Sequence, residues 1–116
     1  MELFEQHCIP YAKGSPALSA EECAALLTQA PDWEINAENS AISRLFHFKN
    51  YYQTIAFVNA VAWICHQQDH HPDMTVSYNR CHITFSTHTV AGLSRNDFIC
   101  ATRIDRILGN RALTNT

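Results

Sequence analysis

The segment from Asn50 to Asp69 limits this chain's folds more than any other. Tyr51, Ile55, Val58, Ala62 and Cys65 recur there at three- and four-residue steps, with neither Pro nor Gly between them. That spacing predicts one long amphipathic helix with those residues inward. Its stop is Pro72, because the residue before a proline is pushed out of the helical region and His71 must turn away from the axis. Most of a helix's stability comes from packing its apolar face. The flanking segments must therefore supply a surface.

Both flanks read as strand pairs. Trp33 to Ile35 and Ala41 to Lys49, separated by polar Asn36-Ala37-Glu38-Asn39-Ser40, predict a hairpin. In its second run Ile42, Arg44, Phe46 and Phe48 share one face, and Leu45 and His47 share the other. Met74 to Tyr78 and Cys81 to His88 predict another hairpin around a tight turn at Asn79-Arg80. Ile83, Phe85 and Thr87 form its apolar face, and His82, Thr84, Ser86 and His88 its polar one.

Ser19-Ala20-Glu21-Glu22 is a capping box that opens a first helix to about Ala30, with Cys23, Leu26 and Leu27 inward and Pro31 as its stop. Ala91-Gly92-Leu93 is a loop. Ser94-Arg95-Asn96-Asp97 caps a last helix through Phe98, Ala101, Ile104 and Leu108, with Gly109 placed to end it. The order α-β-β-α-β-β-α implies an α+β layer, with antiparallel strand pairs and the helices on one sheet face. Residues 1–18 carry Pro10, Gly14 and Pro16 without sustained periodicity, so they read as an irregular arm, a mobile terminus without chemistry.

Composition narrows the function classes. A chain of 116 residues with 47% apolar side chains buries about two-thirds of its extended surface, enough for one core and one domain over 1–116. Eight Lys and Arg against eleven Asp and Glu give a net charge of -3. Such a chain has no broad positive field for nucleic acid. No stretch reaches the roughly 20 apolar residues that span a bilayer, and Met1-Glu2-Leu3-Phe4-Glu5 lacks a signal-peptide layout. A cytoplasmic protein is expected. Cys8, Cys23, Cys65, Cys81 and Cys100 are odd in number and contain no CxxC pair, which points to reduced thiols.

Seven histidines are about twice or more the ordinary usage for this length. His66, His70 and His71 gather at the end of the long helix, and His88 ends a strand. Three readings compete. His66 and His70 have the i, i+4 spacing of a zinc-binding helix, but position 67 is Gln where such helices carry a Glu base, and no third ligand follows at a familiar spacing. Histidines at a helix end are also favoured simply by the negative dipole there, a reading that suffices for His7, His47 and His82. The third reading is metal-free acid–base catalysis on a small polar molecule, with Asp69, Asp97, Thr87 and Ser86 to orient imidazoles or ligand.

The segment His66-Gln67-Gln68-Asp69-His70-His71-Pro72, then Tyr78, Ser86-Thr87-His88, Ala91-Gly92-Leu93-Ser94 and Asp97 resembles the pterin-4a-carbinolamine dehydratases. The resemblance runs from about Ser19 to Leu108, so the arm is not covered. It implies a four-stranded antiparallel sheet with three helices on one side. It also implies a lyase that removes water from 4a-hydroxytetrahydrobiopterin to give quinonoid dihydropterin, recycling the cofactor of aromatic amino acid hydroxylases.

The family's three active-site histidines fall on His70, His71 and His88, and its acidic residue of the last helix falls on Asp97. The resemblance implies no cofactor and no metal. His70 and His88 are then the acid–base pair, His71 binds or orients the pterin, and Asp97, Asp69, His66, Ser86 and Thr87 serve substrate binding or imidazole orientation. His66 stands where many members carry an acid, and Met74 where an aromatic is frequent. Members associate as dimers or tetramers, and a homodimer with a continued sheet is expected here. Animal members also bind a homeodomain transcription factor, so a catalytically silent partner protein is the alternative from a different class.

Overall fold

In the computed structural model, which describes residues 1–108, two hairpins join through their second strands. Strand β1 (Glu34–Ile35) pairs with β2 (Ile42–His47), and β3 (Asp73–Ser77) pairs with β4 (Arg80–Phe85). The β2–β4 pairing sets Ile42 opposite Phe85 and Phe46 opposite Cys81, giving an antiparallel sheet in the order β1-β2-β4-β3. Directly opposed residues share a face, so Ile42, Phe46, Cys81, Ile83 and Phe85 form one buried apolar surface. The opposite face carries Glu34, Ser43, Thr84 and His82, and its Leu45 is 45% exposed. Only one face needs cover, and the predicted α+β architecture of four antiparallel strands and three helices is what the chain adopts.

Helix α1 (Ala20–Leu27) opens on the predicted capping box. Ser19 Oγ accepts from the Glu22 amide at 3.1 Å, and Glu22 Oε1 accepts from the Ser19 amide at 2.9 Å. It ends short of Ala30. The chain tightens there into three-residue turns, with Gln29 N–H on Leu26 O and Ala30 N–H on Leu27 O, before Pro31 redirects it.

Helix α2 (Tyr51–Gln68) is capped by Asn50 Oδ1 on the Gln53 amide and ends at Asp69, whose φ of 52° is left-handed. Its buried face shares Cys65 with the predicted one, and Val58 packs half-buried beside it, but the stripe is otherwise rotated. Thr54, Phe57, Val61, Cys65 and Gln68 point inward, whereas Tyr51 is half exposed and Ala62 fully on the outside. Apolar residues occur nearly all round this helix, so period alone does not choose the stripe. Phe57 does, because its ring packs 4.7 Å from Phe46 and 4.9 Å from Phe48, between the rings of the sheet.

The second hairpin turns at Tyr78-Asn79, one residue before the predicted Asn79-Arg80, because Ser77 pairs with Arg80. Strand β4 stops at Phe85, and His88 therefore begins a 3₁₀ turn (His88–Val90) instead of ending the strand.

Helix α3 (Arg95–Leu108) buries Phe98, Ala101 and Ile104 as its spacing predicts; Gly109, its expected terminator, lies outside the described residues. Asp105 ties this helix to the sheet, accepting from Trp33 Nε1 and Arg44 Nη1 at 2.8 Å each. Burial raises the Asp105 carboxyl above its usual range, and the Trp33 hydrogen bond and the Arg44 charge offset only part of that rise.

The arm is not loose. Leu3 sits in a 3₁₀ turn (Leu3–Glu5) and is fully buried in the core. Arg103 Nη2 donates to Gln6 O at 2.6 Å and Arg95 Nε to Gln6 Oε1 at 2.7 Å, fastening this segment along α3. No described helix is long and apolar enough to cross a membrane.

The orientation of α2 sets a stability contrast. Phe57→Ala is expected to cost about 3–5 kcal/mol, the range for a fully buried aromatic. Ala62→Gln, at an exposed position, is expected to change stability by less than about 0.5 kcal/mol. Urea unfolding of both variants measures the contrast, and the predicted stripe would have reversed it.

Candidate active site

Asp97 sits in the first turn of α3 with no exposed surface. An ionised carboxylate there needs donors on both oxygens, and three converge on it. The Ser94 amide donates to Oδ2 at 2.9 Å, the Thr87 hydroxyl donates to Oδ2 at 2.8 Å, and His70 Nε2 lies 2.6 Å from Oδ1. Since Thr87 gives its hydrogen to Asp97, its oxygen is left to accept from Ser94 Oγ, 2.7 Å away. Ser94 therefore caps α3 only in part. Its amide is held by the residue three positions on, as in a capping box, while its hydroxyl is turned toward Thr87.

A carboxylate has no hydrogen to give, so His70 Nε2 carries one and donates it. Nδ1 then has no partner among the described residues. The ring is held in a second direction by Phe85, stacked at 5.8 Å between centroids and 12° between planes. With its side chain 12% exposed, His70 is oriented as tightly as a core residue yet still reaches a cleft.

That cleft encloses about 590 Å³. Asp69, His70 and His71 line it from the end of α2, Ser86, Thr87 and His88 from the end of β4, and Asp73 and Thr84 from the paired strands β3 and β4. Left-handed backbone flanks the histidines on both sides. Asp69 precedes His70 with a φ of 52°, and Ala91 closes the 3₁₀ turn begun by His88 with a φ of 53°. Such a conformation costs a residue with a Cβ on the order of 1 kcal/mol, so the surrounding hydrogen bonds must hold it.

Of the residues expected from the sequence, His70, His71, His88, Asp69, Ser86 and Thr87 share this cleft. Asp97 stands behind it, with its carboxylate committed to His70, Thr87 and Ser94, and does not line it. His66 is not brought in. It lies on the outer side of α2 with its ring 5.5 Å from Trp63.

Sequence reasoning missed Gln68, Asn96 and the arm residues Cys8, Ile9, Pro10 and Tyr11, all of which line the cleft. The available signal was a set of apolar residues, Leu3, Phe4 and Ile9, in a segment too polar-punctuated to show a period. Among the described residues, no group of three or more His, Cys, Asp or Glu side chains is arranged to hold a metal ion.

The family model described as pterin 4 alpha carbinolamine dehydratase matches residues 16–107. A protein of Nitrosomonas eutropha is 54% identical over 108 residues, 92% of this chain and 94% of that protein. One of Legionella pneumophila is 47% identical over 92% of this chain and 96% of that protein. Both are provisionally named pterin-4-alpha-carbinolamine dehydratases. Among solved structures, a transcriptional coactivator/pterin dehydratase from Brucella melitensis superposes with a TM-score of 0.74 at 28% identity, covering 78% of this chain and 97% of that one. A pterin dehydratase-like protein described as a RuBisCO assembly factor in the alpha-carboxysome shares the fold at 24% identity, with a TM-score of 0.59 over 67% of this chain and 90% of that one.

Thr87→Val, close in shape, removes the hydroxyl that links Ser94 to Asp97, and is expected to cost about 1–3 kcal/mol by leaving buried polar groups unpaired. Asp97→Ala strands three donors and is expected to cost more. Urea midpoints give both values. A sheltered imidazole N–H resonance of His70 in water is expected from the wild type and absent from Asp97→Ala.

Proposed function

The chain belongs to the pterin 4 alpha carbinolamine dehydratase family, and from that premise we propose that it removes water from 4a-hydroxytetrahydrobiopterin to give quinonoid dihydropterin. The observation that carries this reading is the set of three imidazoles, His70, His71 and His88, lining one cleft, with His70 locked by a buried carboxylate.

The reaction needs no change of oxidation state. A protonated imidazole gives its hydrogen to the 4a-oxygen, the C4a–O bond breaks, and water leaves. A neutral imidazole takes the N5 hydrogen, and the electrons of the N–H bond form the N5=C4a double bond. His70 and His88 act as that pair. His70 exchanges its proton at Nδ1, because Nε2 is spent on Asp97. His71 binds and orients the pterin. Asp97 is a positioning residue that keeps the tautomer and the ring plane of His70, the role a carboxylate partner gives any histidine. Asp69 and Ser86 supply polar contacts to the ring edges. His66, outside the cleft, has no part in this reading. The product returns to the reduced pterin pool of an aromatic amino acid hydroxylase.

Partner association is part of the same reading. Strands β1 and β3 are the free edges of the sheet, and β3 leaves Val76 40% exposed beside unpaired backbone groups. An open edge of this kind pairs readily with another. We therefore expect a homodimer or homotetramer, and light scattering on a size-exclusion column reads the mass directly.

The catalytic reading predicts a loss of kcat of about 10²–10⁴-fold for His70→Ala or His88→Ala, and abolition of activity in the double variant. His88 is exposed, so its replacement leaves the fold intact and separates chemistry from stability. The assay follows disappearance of the 4a-carbinolamine with and without protein, in the presence of chelator. Wild-type rates in the double variant would sink the assignment. No acceleration by the wild type would favour a binding protein, and chelator sensitivity would favour a metal.

A further inference from the structure

We propose that arm residues 8–11 form a wall of the pterin cleft, and that Gln68 and Asn96 are positioning residues that hold this wall in place; the inference rests on the dehydratase reading. The family model begins at residue 16, so this wall lies outside the stretch that the family model describes.

The geometry is that of a strap fastened at both ends of the cleft. At one end, the Asn96 side-chain amide imitates a neighbouring strand. Its Oδ1 accepts from the Ile9 amide at 3.0 Å and its Nδ2 donates to Ile9 O at 2.7 Å, so both backbone groups of Ile9 are satisfied. Gln68 Oε1 accepts from the Cys8 amide at 2.8 Å, and its Nε2 lies 3.3 Å from His7 Nδ1. Gln68 and Asn96 are 7% and 6% exposed. Buried amides are costly unless their hydrogen bonds are made, and these two make theirs to the arm instead of to their own helices. At the other end, the Gly14 amide donates to Thr89 O and the Leu18 amide to Leu93 O, each at 2.9 Å. Ala17 lies against Gly92 so closely that a Cβ there would come within 2.9 Å of the Ala17 Cβ. The strap therefore spans from the end of α2, just before His70 and His71, to the turn that carries His88.

Along this strap Ile9, Pro10 and Tyr11 line the cleft, with Ile9 57% exposed. The rest of the lining is largely polar and includes the histidines, Asp69 and Ser86. A pterin is a flat fused ring with apolar faces and hydrogen-bonding edges. It fits this asymmetry with a face against the arm and its edges toward the polar side.

Cys8 is the one cysteine of the five that is not buried; it lines the cleft within the strap, and its Sγ lies 3.6 Å from both Asn96 O and Cys100 Sγ on α3, so the thiol reacts faster when the strap loosens. Its alkylation therefore reports on the wall. Wild-type protein is treated with iodoacetamide with and without saturating tetrahydropterin, the adduct is located by peptide mass spectrometry, and KM and kcat are measured on the carbinolamine. Bound pterin is expected to slow Cys8 alkylation. Ile9→Ser and Tyr11→Ala are expected to raise KM about tenfold or more, the scale of a lost apolar pocket contact, with a smaller effect on kcat. Asn96→Ala is expected to raise KM and to speed alkylation without pterin, while Lys13→Ala, on the arm but outside the cleft, matches the wild type. An active wild type whose Cys8 reacts equally fast with and without pterin, and whose Ile9 and Tyr11 variants keep their KM, would overturn the proposal. An inactive wild type in which pterin still protects Cys8 would overturn the dehydratase reading and support the wall.

Discussion

The buried carboxylate of Asp97 is the point at which the separate parts of this molecule meet. Its three donors come from the start of α3, the segment after β4 and the segment after α2. Those are the places where one hairpin and two helices stop being regular. A charge with no exposed surface tolerates little displacement, since each lost donor leaves desolvation uncompensated. The site's geometry therefore follows from an electrostatic requirement of the core, and His70 inherits its orientation from the interaction that closes the fold.

The sheet and α2 do a different part of the work. One apolar sheet face and one ring, Phe57 against Phe46 and Phe48, determine which way α2 is rotated. That rotation aims Gln68 inward and leaves Trp63 and His66 outside. Had the predicted stripe faced the core, the end of the helix would have presented other residues to the cleft. Aromatic packing more than 10 Å of helix away thus selects which polar side chains can serve the site.

Much of the architecture was legible in the sequence because its signals are local. The Ser19 capping box and the alternation of Ile83, Phe85 and Thr87 each rest on a few neighbouring residues and recur in the structure, whereas α2 ends on the left-handed Asp69, before Pro72 can act. The histidines at positions 70, 71 and 88 were legible as a candidate set only through the family resemblance, because their positions alone left metal, structural and acid–base readings open. What escaped is non-local. The turn moved to Tyr78-Asn79 because strand register, set across the sheet, decides where a hairpin closes. His66 was expected with the other histidines, but a spacing that shares one helix face says nothing about whether that face is turned to the cleft.

The arm is the sharpest case. Its residues carry no periodicity, and nothing within the segment announces that Leu3 will be buried or that Ile9 will be bonded to Asn96. The amino-acid sequence by itself determined the element order, the apolar faces of the strands, the caps and the inventory of proton-transfer groups, because propensity and side-chain chemistry act over a few residues. Only the tertiary structure decided that α2 turns Phe57 inward, that Asp97 stands behind His70, and that arm residues line the cleft. These depend on which groups from distant parts of the chain satisfy one another once water is excluded, and that matching exists only when the chain has folded.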